Sequence, residues 1–165
     1  MTVVSNSSPL IALARIAKLS LLASFYRKIL IPVEVQYEVT VAGRGLPGAE
    51  EVRSAKWIEV ISETSGVHPS LAHTCMNLGA GERATIFLAI SLNADLILLD
   101  DWKARQVAKD AGLSVAGCLG ILEAGARSGL VPDLRQAYAD LLREGIRFDI
   151  KLLQDSLVRL RLPKL

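Results

Sequence analysis

Aromatic side chains make up only 5% of this chain, and it has two cysteines and two histidines. Scarce aromatics imply a core of Leu, Ile, Val and Ala, which suits parallel strands sandwiched between helices. Cys75 and Cys118 lie too far apart for a C-x-x-C metal or redox pair and read as buried free thiols of a reducing compartment. His68 and His73 lack metal-ligand spacing and read as surface loop residues. No Ser-His or Cys-His pairing is apparent to supply a covalent nucleophile. A dominant charge sign is missing as well: the net charge is +2, too small to mark a nucleic-acid binder by itself. From Ala126 onward eight Lys/Arg stand against five Asp/Glu, and in the remainder eleven against twelve, so a mild positive bias falls on the C-terminal part. The apolar run Ile86 to Leu99 is broken by Ser91, Asn93 and Asp95 and is too short to span a bilayer. The N-terminus has no basic region, and Val3-Val4-Ser5 leads straight into polar residues. The expectation is therefore a cytoplasmic protein with no signal peptide and no membrane partner.

What is present is 165 residues, 51% hydrophobic and 22% charged, the composition of an ordered globular chain. We expect a single domain over 1–165, with about 130–165 as a C-terminal helical extension. β-branched and apolar runs predict strands over 2–5, 28–31, 57–61, 94–99 and 113–116. Helical spacing predicts helices from about 8 to 16, 19–26, 33–41, 50–55, 81–92, 102–111, 119–128, 134–144 and about 150–160. Gly43 to Gly48 and Ser62 to Ser70 read as loops. Alternation of strand and helix, with right-handed crossovers, gives the α/β class: a three-layer α/β/α sandwich around a central parallel five-stranded sheet, with C-terminal helices.

Four separated segments place acidic or amide groups beside strand ends or early in helices. They are Ser5-Asn6-Ser7-Ser8-Pro9, Pro32 to Glu38, Gly79-Ala80-Gly81-Glu82, and Leu98-Leu99-Asp100-Asp101. A parallel sheet gathers strand ends along one edge, so carboxylates distant in sequence can meet there. Hard oxygen donors brought together suit Mg²⁺ or Mn²⁺, and such metals commonly cut phosphodiesters. Each position also has a plain structural use. Asp100 or Asp101 can cap a helix, Glu82 can favour a helix dipole, and Glu38 can sit on a solvated face. Lys103 and Arg105, within a turn or so of Asp101, can contact a phosphodiester backbone or form surface ion pairs. Trp102 is the one aromatic beside the site, while Trp57 and Phe87 read as core.

These segments, in this order, resemble the PIN-domain family of nucleases, and closely the VapC-like toxin subgroup. The matching residues run from Val4-Ser5-Asn6-Ser7-Ser8-Pro9-Leu10-Ile11 through Ile31-Pro32 to Tyr37-Glu38. They continue with Gly79-Ala80-Gly81-Glu82, Leu98-Leu99-Asp100-Asp101 with Arg105, Gly112-Leu113, and Gly120-Ile121-Leu122. The resemblance implies a metal-dependent endoribonuclease that leaves a 5′-phosphate and a 3′-hydroxyl, often the toxin of a type II toxin–antitoxin pair. It implies a homodimer blocked by a small antitoxin. The family's four acidic positions fall on Asn6, Glu38, Glu82 and Asp101, with Asp100 adjacent to the last. Asn6, Glu38, Glu82 and Asp101 would then hold Mg²⁺ or Mn²⁺, and Ser8 matches a small hydroxyl residue near the first acid. Ser8, Lys103 and Arg105 are the candidate substrate-binding residues.

Asn6 departs from the family, which usually has Asp there. Asn keeps an oxygen donor but loses a charge, so metal affinity should fall. A second expectation follows: a catalytically weakened module that binds RNA or a protein partner without cleaving. A dinucleotide-binding protein fits less well, because Asn-Ser-Ser-Pro follows the first strand where G-x-G-x-x-G would be needed.

Overall fold

The structure is a computed structural model that describes residues 1–62, 73–163 and 165. Its elements run β1 (Val3–Ser5), α1 (Ser7–Arg15), α2 (Ser20–Phe25), β2 (Ile29–Pro32) and α3 (Val33–Tyr37), which passes into a π turn (Glu38–Ala42). They continue as α4 (Ala49–Ser54), β3 (Ile58–Ile61), α5 (Ala80–Ser91), β4 (Leu96–Leu98), α6 (Trp102–Asp110) and β5 (Val115–Ala116). Last come α7 (Cys118–Arg127), α8 (Leu134–Arg143) and α9 (Ile150–Arg159). The expected loop over 62–70, and His68 with it, falls almost wholly outside the described residues; His73 is exposed.

All five strands are parallel, in the order β3-β2-β1-β4-β5. Side chains alternate across the strands and build two cores. Val3, Ile29, Ile31 and Leu98 face one core, which takes apolar side chains from α1, α2, α7, α8 and α9. Val4, Leu30, Ile97 and Leu99 face the other, against α5 and α6. The result is the three-layer α/β/α arrangement that the alternation of elements predicts. As the scarcity of aromatics requires, Leu and Ile dominate the largest fully buried side chains, with Tyr138 the one aromatic among them.

Strands are shorter than hydrophobicity suggests, β4 covering Leu96–Leu98 and β5 only Val115–Ala116. Apolar runs mark burial, whereas ladder pairing ends where the chain turns toward the next helix. The predicted helix over 33–41 departs more: it loosens into the π turn at Glu38, where Gly43 N–H reaches the Glu38 carbonyl at 3.0 Å. Such one-turn π segments recur at functional sites because they re-aim a side chain. The region of 134–160 is no loose appendage. Leu134, Tyr138, Leu141, Leu153 and Leu157 are buried in the first core. Tyr138 Oη and Ser156 Oγ lie 2.6 Å apart, and Ser156 Oγ donates to Glu123 Oε1 at 2.5 Å, tying α7, α8 and α9 together.

The topology also locates a cleft. From β1 the chain steps to β2 and β3 on one side, then crosses to β4 and β5 on the other. The carboxyl ends of β1 and β4 therefore flank the switch point, where open parallel sheets bind ligands. Ser5 pairs with Leu98 in register, and Asn6 N–H donates to the Leu98 carbonyl at 3.0 Å. Asn6 and the Leu99-Asp100-Asp101 turn are thus neighbours by ladder geometry alone.

Candidate active site

Asn6 is the N-cap of α1, with extended backbone angles and a side chain only 2% exposed. A capping Asn ordinarily accepts from the N–H two or three residues on. Here the third residue is Pro9, which has no N–H, and no side-chain capping bond forms. Asn6 Oδ1 is left buried without a hydrogen-bond partner. An orphaned buried acceptor costs about 1–3 kcal/mol, which makes Asn6 Oδ1 a candidate ligand atom for a cation.

Glu38 is aimed from the π turn toward the same corner. Its Oε2 accepts from Ser7 Oγ at 2.7 Å, and its Oε1 from Gly81 N–H at 3.1 Å. Gly81 stands in the first turn of α5, whose free amides favour an anion. Only a glycine leaves the carboxylate in this place: a Cβ at position 81 would lie 2.5 Å from Glu38 Oε1. Glu82, next along α5, turns back so that Oε2 accepts from Gly79 N–H at 2.9 Å.

Asp100 and Asp101 divide their duties. Asp101 caps α6 and accepts from Ala104 N–H at 2.9 Å, with its residue otherwise exposed. Asp100 is half-buried, and Oδ1 accepts from Cys118 N–H at 2.7 Å. Burial pushes its carboxyl up to about 6, although the Cys118 amide and the Arg105 charge pull the other way. Gly117 makes this cradle possible, since a Cβ there would meet Asp100 Oδ1 at 2.6 Å and Arg105 Nη1 at 2.8 Å. Arg105 donates from Nη1 to the Leu99 carbonyl at 2.8 Å, so its guanidinium sits beside Asp100. Lys103 is exposed on α6 and does not line the cleft.

The cleft is a cavity of about 620 Å³. It collects Ser8, Glu82, Asp100 and Asp101 from the expected set. Asn6 and Glu38 do not line it: Glu38 is bonded to Ser7 and Gly81, the chain neighbours of Ser8 and Glu82, and Asn6 lies two residues before Ser8. Trp102 also lines it, with Ile11 and Arg15 of α1 and the stretch Gly145 to Asp149 with Leu152. Sequence reasoning singled out Ser8 but missed Ser7, the neighbour that bonds to Glu38. It also missed Gly81, Gly117, Arg15 and the 145–149 wall. The two glycines carried a faint signal, each standing beside a strand end or an acid. Arg15 and the wall carried none, because they reach the cleft only through tertiary packing.

The donors fit a hard divalent cation in kind. They are carboxylate oxygens with lone pairs to spare after one hydrogen bond each, together with the orphaned Asn6 Oδ1. Among the described residues, no three acidic, histidine or cysteine side chains are grouped closely enough to hold a metal.

The chain is an all-parallel α/β/α sandwich with Asp100 and Asp101 beside its switch point. A family model described as a PIN domain matches residues 2–161, so the chain belongs to the PIN-domain family. PIN domains are typically metal-dependent nucleases. No curated protein matches the chain. Among the described residues, no helix is long and apolar enough to cross a membrane.

Proposed function

We propose that this chain is a metal-dependent endoribonuclease whose cutting site comprises Asn6, Glu38, Glu82, Asp100 and Asp101. The observation that carries the reading is the buried, unpartnered Asn6 Oδ1, set at the switch point beside the Asp100 turn. Asn6, Glu38, Glu82 and Asp101 are the residues that would hold Mg²⁺ or Mn²⁺, with Asp100 adjacent. A cation held there would neutralise charge on a scissile phosphate and lower the pKa of a bound water. The chain's own contribution is preorganisation. The Ser7 hydroxyl and the Gly81 amide fix Glu38 at both oxygens, and the Cys118 amide fixes Asp100. Direct support would be Mn²⁺-dependent RNA cleavage that EDTA stops and that Glu38→Gln or Glu82→Gln reduces at least tenfold. Cleavage unchanged in both variants would remove them from the site.

A second reading has its own observation: Asn6 brings no charge, and Glu82 is engaged with Gly79 N–H. In that reading the chain binds RNA or a protein without cutting. Mn²⁺ titration separates the two, since the weakened site would show no binding at millimolar metal. The finer role, a cytoplasmic toxin held as a homodimer and silenced by a small antitoxin, rests on resemblance to the VapC-like subgroup. Co-purification with a small protein that suppresses cleavage would test it.

A further inference from the structure

We infer that Trp102 is the base-stacking platform of this cleft and that Arg147 is its phosphate contact, so that together they position one unstacked nucleotide beside the acids. The inference rests on reading the cavity as the place where RNA binds, though not on whether RNA is cut. Among the described residues Trp102 is the most exposed large hydrophobic residue after Met1, with 73% of its surface open. Single exposed apolar residues are ordinary, but this one follows directly on Asp100-Asp101 and lines the same cavity as Glu82. Trp57, the other tryptophan, is packed against the core.

The stretch Gly145 to Asp149, which lines the same cavity, supplies what a nucleotide needs besides a stacking face. Arg147 is exposed, lines the cavity, and makes no hydrogen bond or ion pair among the described residues. Phe148 beside it is half-buried against the first core. Arg15, deeper in the wall, donates from Nη1 to the Glu144 carbonyl at 3.2 Å, which anchors that stretch of chain to α1. An indole, a guanidinium and carboxylates lining one cavity match a base, its phosphate and a metal-assisted site in turn. The cavity, about 620 Å³, falls within the usual range for small-ligand pockets. Glu82, Asp100 and Asp101 line the same cavity, and Arg147 supplies positive charge that offsets their repulsion of a phosphate.

The experiment is equilibrium binding of a fluorescein-labelled single-stranded RNA in EDTA, where cleavage cannot intervene, with wild type, Trp102→Ala, Trp102→Phe and Arg147→Ala. Trp102→Ala should weaken binding by about tenfold, the range of one base–aromatic stack, and Trp102→Phe should restore most of it. RNA should quench tryptophan emission in wild type and lose that effect in Trp102→Phe. Arg147→Ala should weaken binding and flatten its salt dependence. A duplex of the same sequence, which offers no free base face, should bind more weakly and be indifferent to Trp102. Unaltered affinity in Trp102→Ala, or no RNA binding by wild type, overturns the inference; in the former case the exposed indole serves a protein contact instead. The substitutions lie at exposed positions, and far-UV circular dichroism confirms folding. Failure of metal-dependent cleavage with stacking intact would refute the nuclease reading and leave this one standing.

Discussion

Gly81→Ala should separate the fold from the chemistry. A methyl group at this position would lie 2.5 Å from Glu38 Oε1 and 2.6 Å from Oε2, far inside contact distance. The carboxylate is the end of a flexible side chain, so it moves and the backbone stays. In moving it gives up the Gly81 amide and the Ser7 hydroxyl, hydrogen bonds worth about 1.5–3 kcal/mol when one partner is charged. Glu38 then gains water on its half-exposed side, which returns part of that loss. Alanine also favours the helix over glycine by up to roughly 1 kcal/mol, less in a first turn. The net change in stability should fall within about 1–2 kcal/mol, a shift of about 2–8 °C in Tm for a chain of this size. Metal-dependent cleavage should fall at least tenfold, because a carboxylate displaced by an ångström no longer sits where the reaction needs it. The assay pairs a thermal melt with initial rates on single-stranded RNA. Full activity in a folded Gly81→Ala protein would refute the claim that the Gly81 amide positions Glu38 for function.

Other outcomes follow from the same contacts. Asp100 has its folded pKa raised by burial, so its ionised form is disfavoured in the fold and stability declines as pH rises from its ordinary value of 3.8 through about 6. Asp100→Asn should therefore raise Tm in EDTA at pH above 6 and leave it unchanged below 3.8, as paired melts across pH would show. Ser156→Ala strands the buried Tyr138 hydroxyl and should cost about 1–3 kcal/mol in a urea melt. Cys75 and Cys118 are buried, and burial raises both thiols, Cys118 well above the ordinary value. Ellman's reagent should thus label neither thiol quickly in the native protein and both after denaturation.

The sheet was legible because β-branched runs alternate with helical spacing, and parallel topology leaves few ways to connect them. The position of the cleft followed from the same topology: Asn6 and Asp100 end adjacent strands and had to meet. Glu38 was legible as a residue but not as a geometry, since nothing in Val33 to Val41 announces a π turn. The division between Asp100 and Asp101 was also hidden. Adjacent aspartates look alike in sequence, and only the Gly117-Cys118 cradle, contributed by the end of β5, makes one half-buried and leaves the other a cap. Arg105 appeared as a candidate for the RNA backbone, whereas its guanidinium is turned toward the Leu99 carbonyl. The 145–149 wall was invisible because its approach to α1 depends on how α8 and α9 pack, a long-range outcome with no local pattern.

The most direct test of the central claim is Mn²⁺-dependent cleavage of a mixed single-stranded RNA panel by wild type, Asn6→Asp and Asp101→Ala side by side. The account predicts cleavage by wild type, faster cleavage by Asn6→Asp as the restored charge tightens metal binding, and loss of activity in Asp101→Ala. Silence from all three proteins, each shown to be folded, would contradict it and leave a domain that binds without cutting.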